Sequence, residues 1–349
     1  MYLDRLKNLK SYKTETTPCK IKLSSNENPF DLPDWLKDKI GEEIKKLHFQ
    51  RYPDPTSTEL KEVIADFYNV KIENIVLGNG SDELIQLLTM VIGEISQPIM
   101  YPIPTFPMYQ VSADVIGRKK VEFPLDENFQ LKKENINKAL DKNPILAFFA
   151  SPNNPTGNTL DRELIKYVSQ NKVFTAVDEA YIDFSDKEDF VQEAINSENL
   201  VVLRTMSKIG LAGIRLGVLI ANEEIAKELD KGRPPFNITA PTQTIGKIVL
   251  TEGKEEIKKQ VEIIKRERDL LLKELKNLEG ITVYPSDANF VLIRVKDGDL
   301  IHKKLIEKGI LVRNMSHLPL MGNCLRVSIG KPEENRVFIE VFKEILKEG

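Results

Sequence analysis

Residues 200–217 read LVVLRTMSKIGLAGIRLG. The first six, Leu200 to Thr205, are apolar almost throughout, which suits a strand covered on both faces of a sheet. The strand runs into Thr205-Met206-Ser207-Lys208, followed by Gly210, Gly213 and Arg215. A lysine in a loop is ordinarily a solvated surface group. Here hydroxyls and an arginine lie beside it, as anchoring of an anion requires.

Working outward, short apolar runs alternate with helical periods from about Asn74 to Thr205. NIVLGNG reads as strand then turn, and SDELIQLLTMVI as a helix with Ser81 at its N-cap and Asp82 and Glu83 in its first turn. QPIMYP, KKVEFP, ILAFFASP and FTAVDEA read as further strands, and segments such as DRELIKYVSQ as crossover helices. This is the pattern of an α/β protein with a mostly parallel central sheet sandwiched by helices. From Lys254 to Leu278 apolar residues recur at helical spacing until Gly280 stops them. The short strands ITVYP, NFVLIRV, ILVRN and CLRVSIG follow, an α+β pattern. The expected organisation is a large domain over residues 48–250. Residues 1–47 and 251–349 form an N-terminal arm and a small C-terminal domain.

Composition bounds the function. The 349 residues are 41% hydrophobic and 30% charged, with a net charge of −3, so there is no basic footprint for nucleic acid. Cys19 and Cys324 are too far apart in sequence for a metal-binding pair, and His48, His302 and His317 share no ligand spacing. No metal is expected. No stretch reaches the roughly 20 apolar residues of a membrane span. The opening MYLDRLKNLK carries no apolar signal core. The expectation is a cytoplasmic protein without membrane contact.

Several residues beyond the lysine loop carry chemistry. Asp178 ends the apolar strand of FTAVDEAY, with Tyr181 three residues on. GNGSDE is a glycine turn feeding a helix N-terminus, where backbone N–H groups and the helix dipole favour an anion. SPNNPTG is a turn that holds Asn154. A lone strand-end Asp is most often a helix cap, and Gly-Asn-Gly turns are common, so each signal is weak by itself.

Together and in this order, NPTG, DEAY and the Ser-Lys loop ending in Arg resemble the aspartate-aminotransferase superfamily, the fold-type I pyridoxal-phosphate enzymes, from about Ser24 to Gly330. The resemblance implies pyridoxal 5'-phosphate as cofactor and gives each residue a role. Lys208 matches the Schiff-base lysine that also shuttles a proton. Asp178 matches the carboxylate on the pyridinium nitrogen. Tyr181 and Asn154 match donors to the phenolate oxygen, and Tyr109, last in PTFPMY, the ring that stacks on the cofactor. Gly80, Ser81, Asp82, Thr205, Ser207 and Arg215 match the phosphate cradle. In one departure, seven positions separate Lys208 from Arg215, where many relatives have eight.

Further segments are similar to the histidinol-phosphate aminotransferase family. They are LSSNENPF with Asn28, RYPD with Tyr52, GNGSDELI, and ILVRN and NCLRVSIG with Arg313 and Arg326. That similarity implies transamination between L-histidinol phosphate and 2-oxoglutarate, giving imidazole-acetol phosphate and L-glutamate, in histidine biosynthesis. It implies a homodimer with shared active sites, in which Tyr52 crosses to the neighbouring cofactor phosphate. Asn28, Arg313, Arg326 and Tyr12 are the matched substrate-binding residues. Guanidinium groups grip carboxylate or phosphate bidentately, so Arg313 and Arg326 suit both substrates. The alternatives within the superfamily are a threonine-phosphate decarboxylase and an aromatic or broad-specificity aminotransferase. A nucleotide-binding oxidoreductase would use GNGSDE as its phosphate loop, but that turn lacks the third glycine of the fingerprint. A non-catalytic regulator would need a DNA-binding segment, for which the chain has neither room nor a basic run.

Overall fold

The computed structural model describes residue 7, residue 9 and residues 17–348; Tyr12 lies outside the described residues. Twelve strands are present among them: β1 Ile21–Leu23, β2 Ile75–Asn79, β3 Ile99–Ile103, β4 Lys120–Pro124, β5 Leu146–Ala150, β6 Phe174–Asp178, β7 Leu200–Thr205, β8 Leu216–Ile220, β9 Thr282–Val283, β10 Phe290–Arg294, β11 Ile310–Asn314 and β12 Cys324–Ser328. Seven form a large sheet in the order β2-β8-β7-β6-β5-β3-β4. Pairing from β4 through β7 is parallel, and β8 runs antiparallel to both of its neighbours. The mostly parallel sheet and the smaller α+β unit agree with the expected fold class.

The apolar strands are buried on both faces, as their composition requires. On β5, Phe148 packs with Tyr109, Leu84 and Leu203, while Phe149 packs on the opposite face with Phe123, Val177 and Val202. Both rings are fully buried, and each contributes about 1.5–3 kcal/mol relative to exposure. The strand LGVLI, β8, is missing from the sequence reading. A single residue, Arg215, separates it from the 3-10 turn Ala212–Ile214, so no connector marks its start.

The small sheet has the order β1-β11-β12-β10-β9. β1 pairs parallel with β11 and the other pairs are antiparallel. Ile21 pairs with Ile310 and Leu23 with Val312, so the arm wraps onto the small sheet. The 23-residue helix Lys254–Lys276 buries Ile257, Val261, Ile264, Leu271 and Leu275. Its core is continuous with that under the large sheet. Among the described residues no helix is long and apolar enough to cross a membrane.

Candidate active site

A cavity of about 220 Å³ opens where the carboxyl ends of β5, β6 and β7 meet the turn after β2. This is where open α/β sheets bind ligands. Its lining includes Ser81, Asp82, Asn154, Asp178, Tyr181, Thr205, Ser207, Lys208 and Arg215. Nine residues expected from four separate segments therefore converge. Lys208 stands in the irregular turn Ser207–Leu211, where Gly210 takes a φ of +111°. Its Nζ lies 5.6 Å from the centre of the Tyr181 ring.

Asp178 is 3% exposed at the end of β6. Its Oδ2 accepts from the Tyr109 hydroxyl at 2.8 Å and its Oδ1 from the Ala180 N–H at 3.1 Å. Burial pushes the carboxyl up to about 6, against the downward pull of those two donors and of the Lys208 charge. The next residue, Glu179, accepts from the Phe190 N–H and pairs with buried Arg204 at 2.9 Å. Burial moves its carboxyl to about 7, and Arg204 opposes that shift.

The expectation that Tyr109 covers the cofactor ring is corrected. Tyr109 is fully buried and absent from the cavity wall. Its ring stacks on Phe148 with centroids 4.8 Å apart, and its hydroxyl supports Asp178 from behind. Phe106, three residues earlier, lines the cavity instead. The helix Met108–Ile116 begins between them and turns Tyr109 into the core.

The anion end is built around Gly80, whose φ is +76°. Its N–H donates to the Arg215 carbonyl at 2.6 Å, just before the helix Ser81–Val91. A Cβ at Gly80 would lie 2.5 Å from Arg215 Nη2, so any other residue would displace the guanidinium besides straining the backbone. Arg215 adopts φ +53°, ψ 47° and reaches the cavity despite the shorter loop. Its Nη2 pairs with Asp82 at 3.2 Å and its Nη1 donates to Ser207 Oγ at 3.4 Å. Thr205 Oγ1 donates to Ser207 Oγ at 2.9 Å. Gly217 on β8 is a residue the motif reading left without a role. A Cβ there would meet Gly80 C at 2.4 Å and Ser81 N at 2.5 Å, so the turn rests directly on this strand.

Beside Asn154, Arg326 on β12 donates to Asn154 Oδ1 at 2.5 Å and to the Ser24 carbonyl at 2.7 Å. A guanidinium only donates, so the Asn154 amide oxygen must face it and the NH₂ is left for the cavity. Tyr181 Oη accepts from Asn26 Nδ2 at 3.1 Å, which leaves the hydroxyl hydrogen to be donated onward. Arg313 pairs in register with Arg326, so both side chains leave the same face of the small sheet.

Among the described candidates, Asn28, Tyr52, Arg313 and Arg326 are not on the cavity wall. Asn28 does not line the cavity: its Nδ2 donates to Gln260 Oε1 at 2.9 Å and its Oδ1 accepts from Phe30 N–H. Asn28 thereby ties the arm to the long helix. Ser25 and Glu27 take its place on the wall. Tyr52 is 80% exposed, outside the cavity, and stacks on Phe236 with centroids 4.5 Å apart. Tyr12 lies outside the described residues.

The donor set fits pyridoxal phosphate. A helix N-terminus, two hydroxyls and Arg215 suit its phosphate, and Asp178 suits a protonated ring nitrogen. Asn154 and Tyr181 offer donors for the ring oxygen, with Lys208 beside them. The space that a Cβ at Gly80 would fill is part of this cradle.

Comparison with known proteins agrees. A family model described as aminotransferase class I and II matches residues 18–342. The chain is 47% identical to the histidinol-phosphate aminotransferase of Aquifex aeolicus, over 99% of this chain and 98% of that one. The solved histidinol-phosphate aminotransferase of Clostridium acetobutylicum superposes with a TM-score of 0.85 at 29% identity, covering 94% of this chain and 100% of that one. The Sinorhizobium meliloti enzyme, solved in complex with pyridoxal-5'-phosphate, gives a TM-score of 0.87 at 22% identity over 99% and 98% of the two chains, a likeness of fold. With the lysine, the aspartate and the anion cradle gathered at the carboxyl ends of the central strands, the chain belongs to the class I and II aminotransferases and, among them, to the histidinol-phosphate aminotransferase family.

Proposed function

We propose that this protein transfers the amino group between L-glutamate and imidazole-acetol phosphate, forming L-histidinol phosphate and 2-oxoglutarate in histidine biosynthesis. Pyridoxal 5'-phosphate is the cofactor. The observation that carries the reading is the convergence of Lys208, Asp178 and the Gly80–Arg215 cradle on one cavity.

When bound, the cofactor supplies an electron sink that weakens the bond from the substrate Cα to hydrogen. Lys208 is the base that takes the Cα proton and returns it to the other end of the transfer. Asp178, ionised near neutral pH and held by Tyr109, keeps the ring nitrogen protonated. Tyr181 and Asn154 donate toward the ring oxygen. Ser81, Thr205, Ser207 and Arg215 hold the cofactor phosphate, with Asp82 orienting Arg215. Arg326 and Arg313 receive the anionic end of the substrate. Because Arg326 also holds Asn154, an arriving anion competes for the group that orients a cofactor donor.

Residues 48–250 act as the cofactor-binding domain, and residues 1–47 with 251–349 as the small domain. The division is supported by sheet membership, since β2 to β8 form one sheet and β1 with β9 to β12 the other. The working form is a cytoplasmic homodimer in which Tyr52 of the partner subunit completes the phosphate site. The exposure of Tyr52 and its distance from its own cavity support this.

The test is a single turnover. Cofactor-loaded protein mixed with L-histidinol phosphate alone should release one equivalent of imidazole-acetol phosphate per site. Adding 2-oxoglutarate should then yield L-glutamate. No ketone product, or carbon dioxide release from O-phospho-L-threonine, would overturn the reading.

A further inference from the structure

The substrate pair proposed above sets a recognition problem that the assigned residues leave half solved. Phosphate and carboxylate have their guanidinium groups, but the imidazole ring needs a hydrogen-bond acceptor. The charged groups on the cavity wall are Glu27, Asp82, Asp178, Lys208 and Arg215. Asp178 is engaged by Tyr109 and Ala180, and Asp82 by Arg215. Thr205 and Ser207 are bonded to each other. Glu27 differs. Its Oε2 is held by Lys22 Nζ at 2.8 Å, both side chains are half exposed, and Lys22 is its partner among the described residues. One carboxylate oxygen remains for a ligand.

The segment that carries Glu27 is also held in place. Asn26 is buried with φ +53°, a conformation asparagine tolerates better than most residues. That turn sends Asn26 inward and leaves Ser25 and Glu27 on the cavity wall. Asn26 N–H donates to Ser328 Oγ, its Nδ2 to Tyr181 Oη, and its carbonyl accepts from Asn289 Nδ2. Arg326 holds the Ser24 carbonyl on one side and Gln260 holds Asn28 on the other. A carboxylate on a segment fixed at both ends is preorganised for a ligand.

Resting on the proposed function, we infer that Glu27 accepts the imidazole N–H of the substrate and sets the preference for an imidazole over a phenyl ring. An ionised carboxylate also favours the imidazolium form.

The test is titration calorimetry of the cofactor-loaded protein with imidazolylethyl phosphate and with phenylethyl phosphate, which share the phosphate and differ in the ring. The wild type should prefer the imidazole compound, increasingly so as pH falls through the ring's own pKa of about 6.5. Glu27→Ala should reduce that preference about tenfold or more. Glu27→Gln, which keeps an acceptor, should retain part of the preference but lose its growth toward low pH. An unchanged preference in Glu27→Ala would overturn the inference alone. A wild type that binds neither phosphate while still transaminating another amino acid would overturn the proposed function, and the inference with it.

Discussion

Tyr109 and Asp178 are joined by a 2.8 Å hydrogen bond in which a fully buried phenol supports a buried carboxylate from the side away from the cavity. The same burial, together with the Asp178 charge, holds the phenol well above its ordinary pKa, so it stays a donor. Replacing Tyr109 with Phe removes a donor that lowers the Asp178 pKa. The acid limb of kcat/KM should therefore move to higher pH, and kcat should fall about tenfold. A pH–rate profile unchanged from wild type would rule out this support.

Asp178 has a stability signature of its own in the cofactor-free protein. Its folded pKa of about 6 exceeds the ordinary aspartate value of 3.8, so the folded state binds the proton more tightly. The stabilising contribution of protonation is present below about 4 and lost as pH rises through about 6. Asp178→Asn should thus gain stability relative to wild type between pH 4 and 7, by on the order of 3 kcal/mol. Urea denaturation of both proteins at the two pH values measures this difference, and a difference of opposite sign would refute it.

Lys208→Ala should lower the single-turnover rate by roughly 10³–10⁴. The fold should survive, because the side chain is only half buried in its turn. Stopped-flow measurement together with circular dichroism separates loss of chemistry from loss of structure.

Gly217→Ala places a methyl group 2.4–2.5 Å from backbone atoms of the Gly80–Ser81 peptide, which have no side-chain freedom to yield. The turn must shift, at a cost of about 1–3 kcal/mol. Because that turn forms the anion cradle, cofactor affinity should weaken about tenfold or more. Fluorescence titration of the cofactor-free variant reads this directly.

Arg326→Lys keeps the charge but not the fork that spans Asn154 and the Ser24 carbonyl. A fall in kcat/KM of about 10- to 100-fold for both substrates is the expected result. Retention of kcat/KM would show that charge alone suffices at this position.

The sequence by itself determined the parts that are local. A strand end followed by a particular turn is specified by neighbouring residues, so Asp178, Asn154, Lys208 and the Gly80–Asp82 turn were legible in FTAVDEA, SPNNPTG, TMSK and GNGSDE. The alternation of apolar runs with helical periods likewise announced the parallel sheet. Tertiary structure alone decided which side of a locally ambiguous segment meets the ligand. Phe106 and Tyr109 are both aromatic and three residues apart, and only the packing of Tyr109 on Phe148 sends one to the wall and the other behind Asp178. In SSNENP the left-handed Asn26 sets the phase, putting Glu27 on the wall and Asn28 against Gln260, a residue 232 positions away. Gly217 matters for the same reason. Its role is the absence of an atom where a distant turn comes to rest, and no local pattern records that contact.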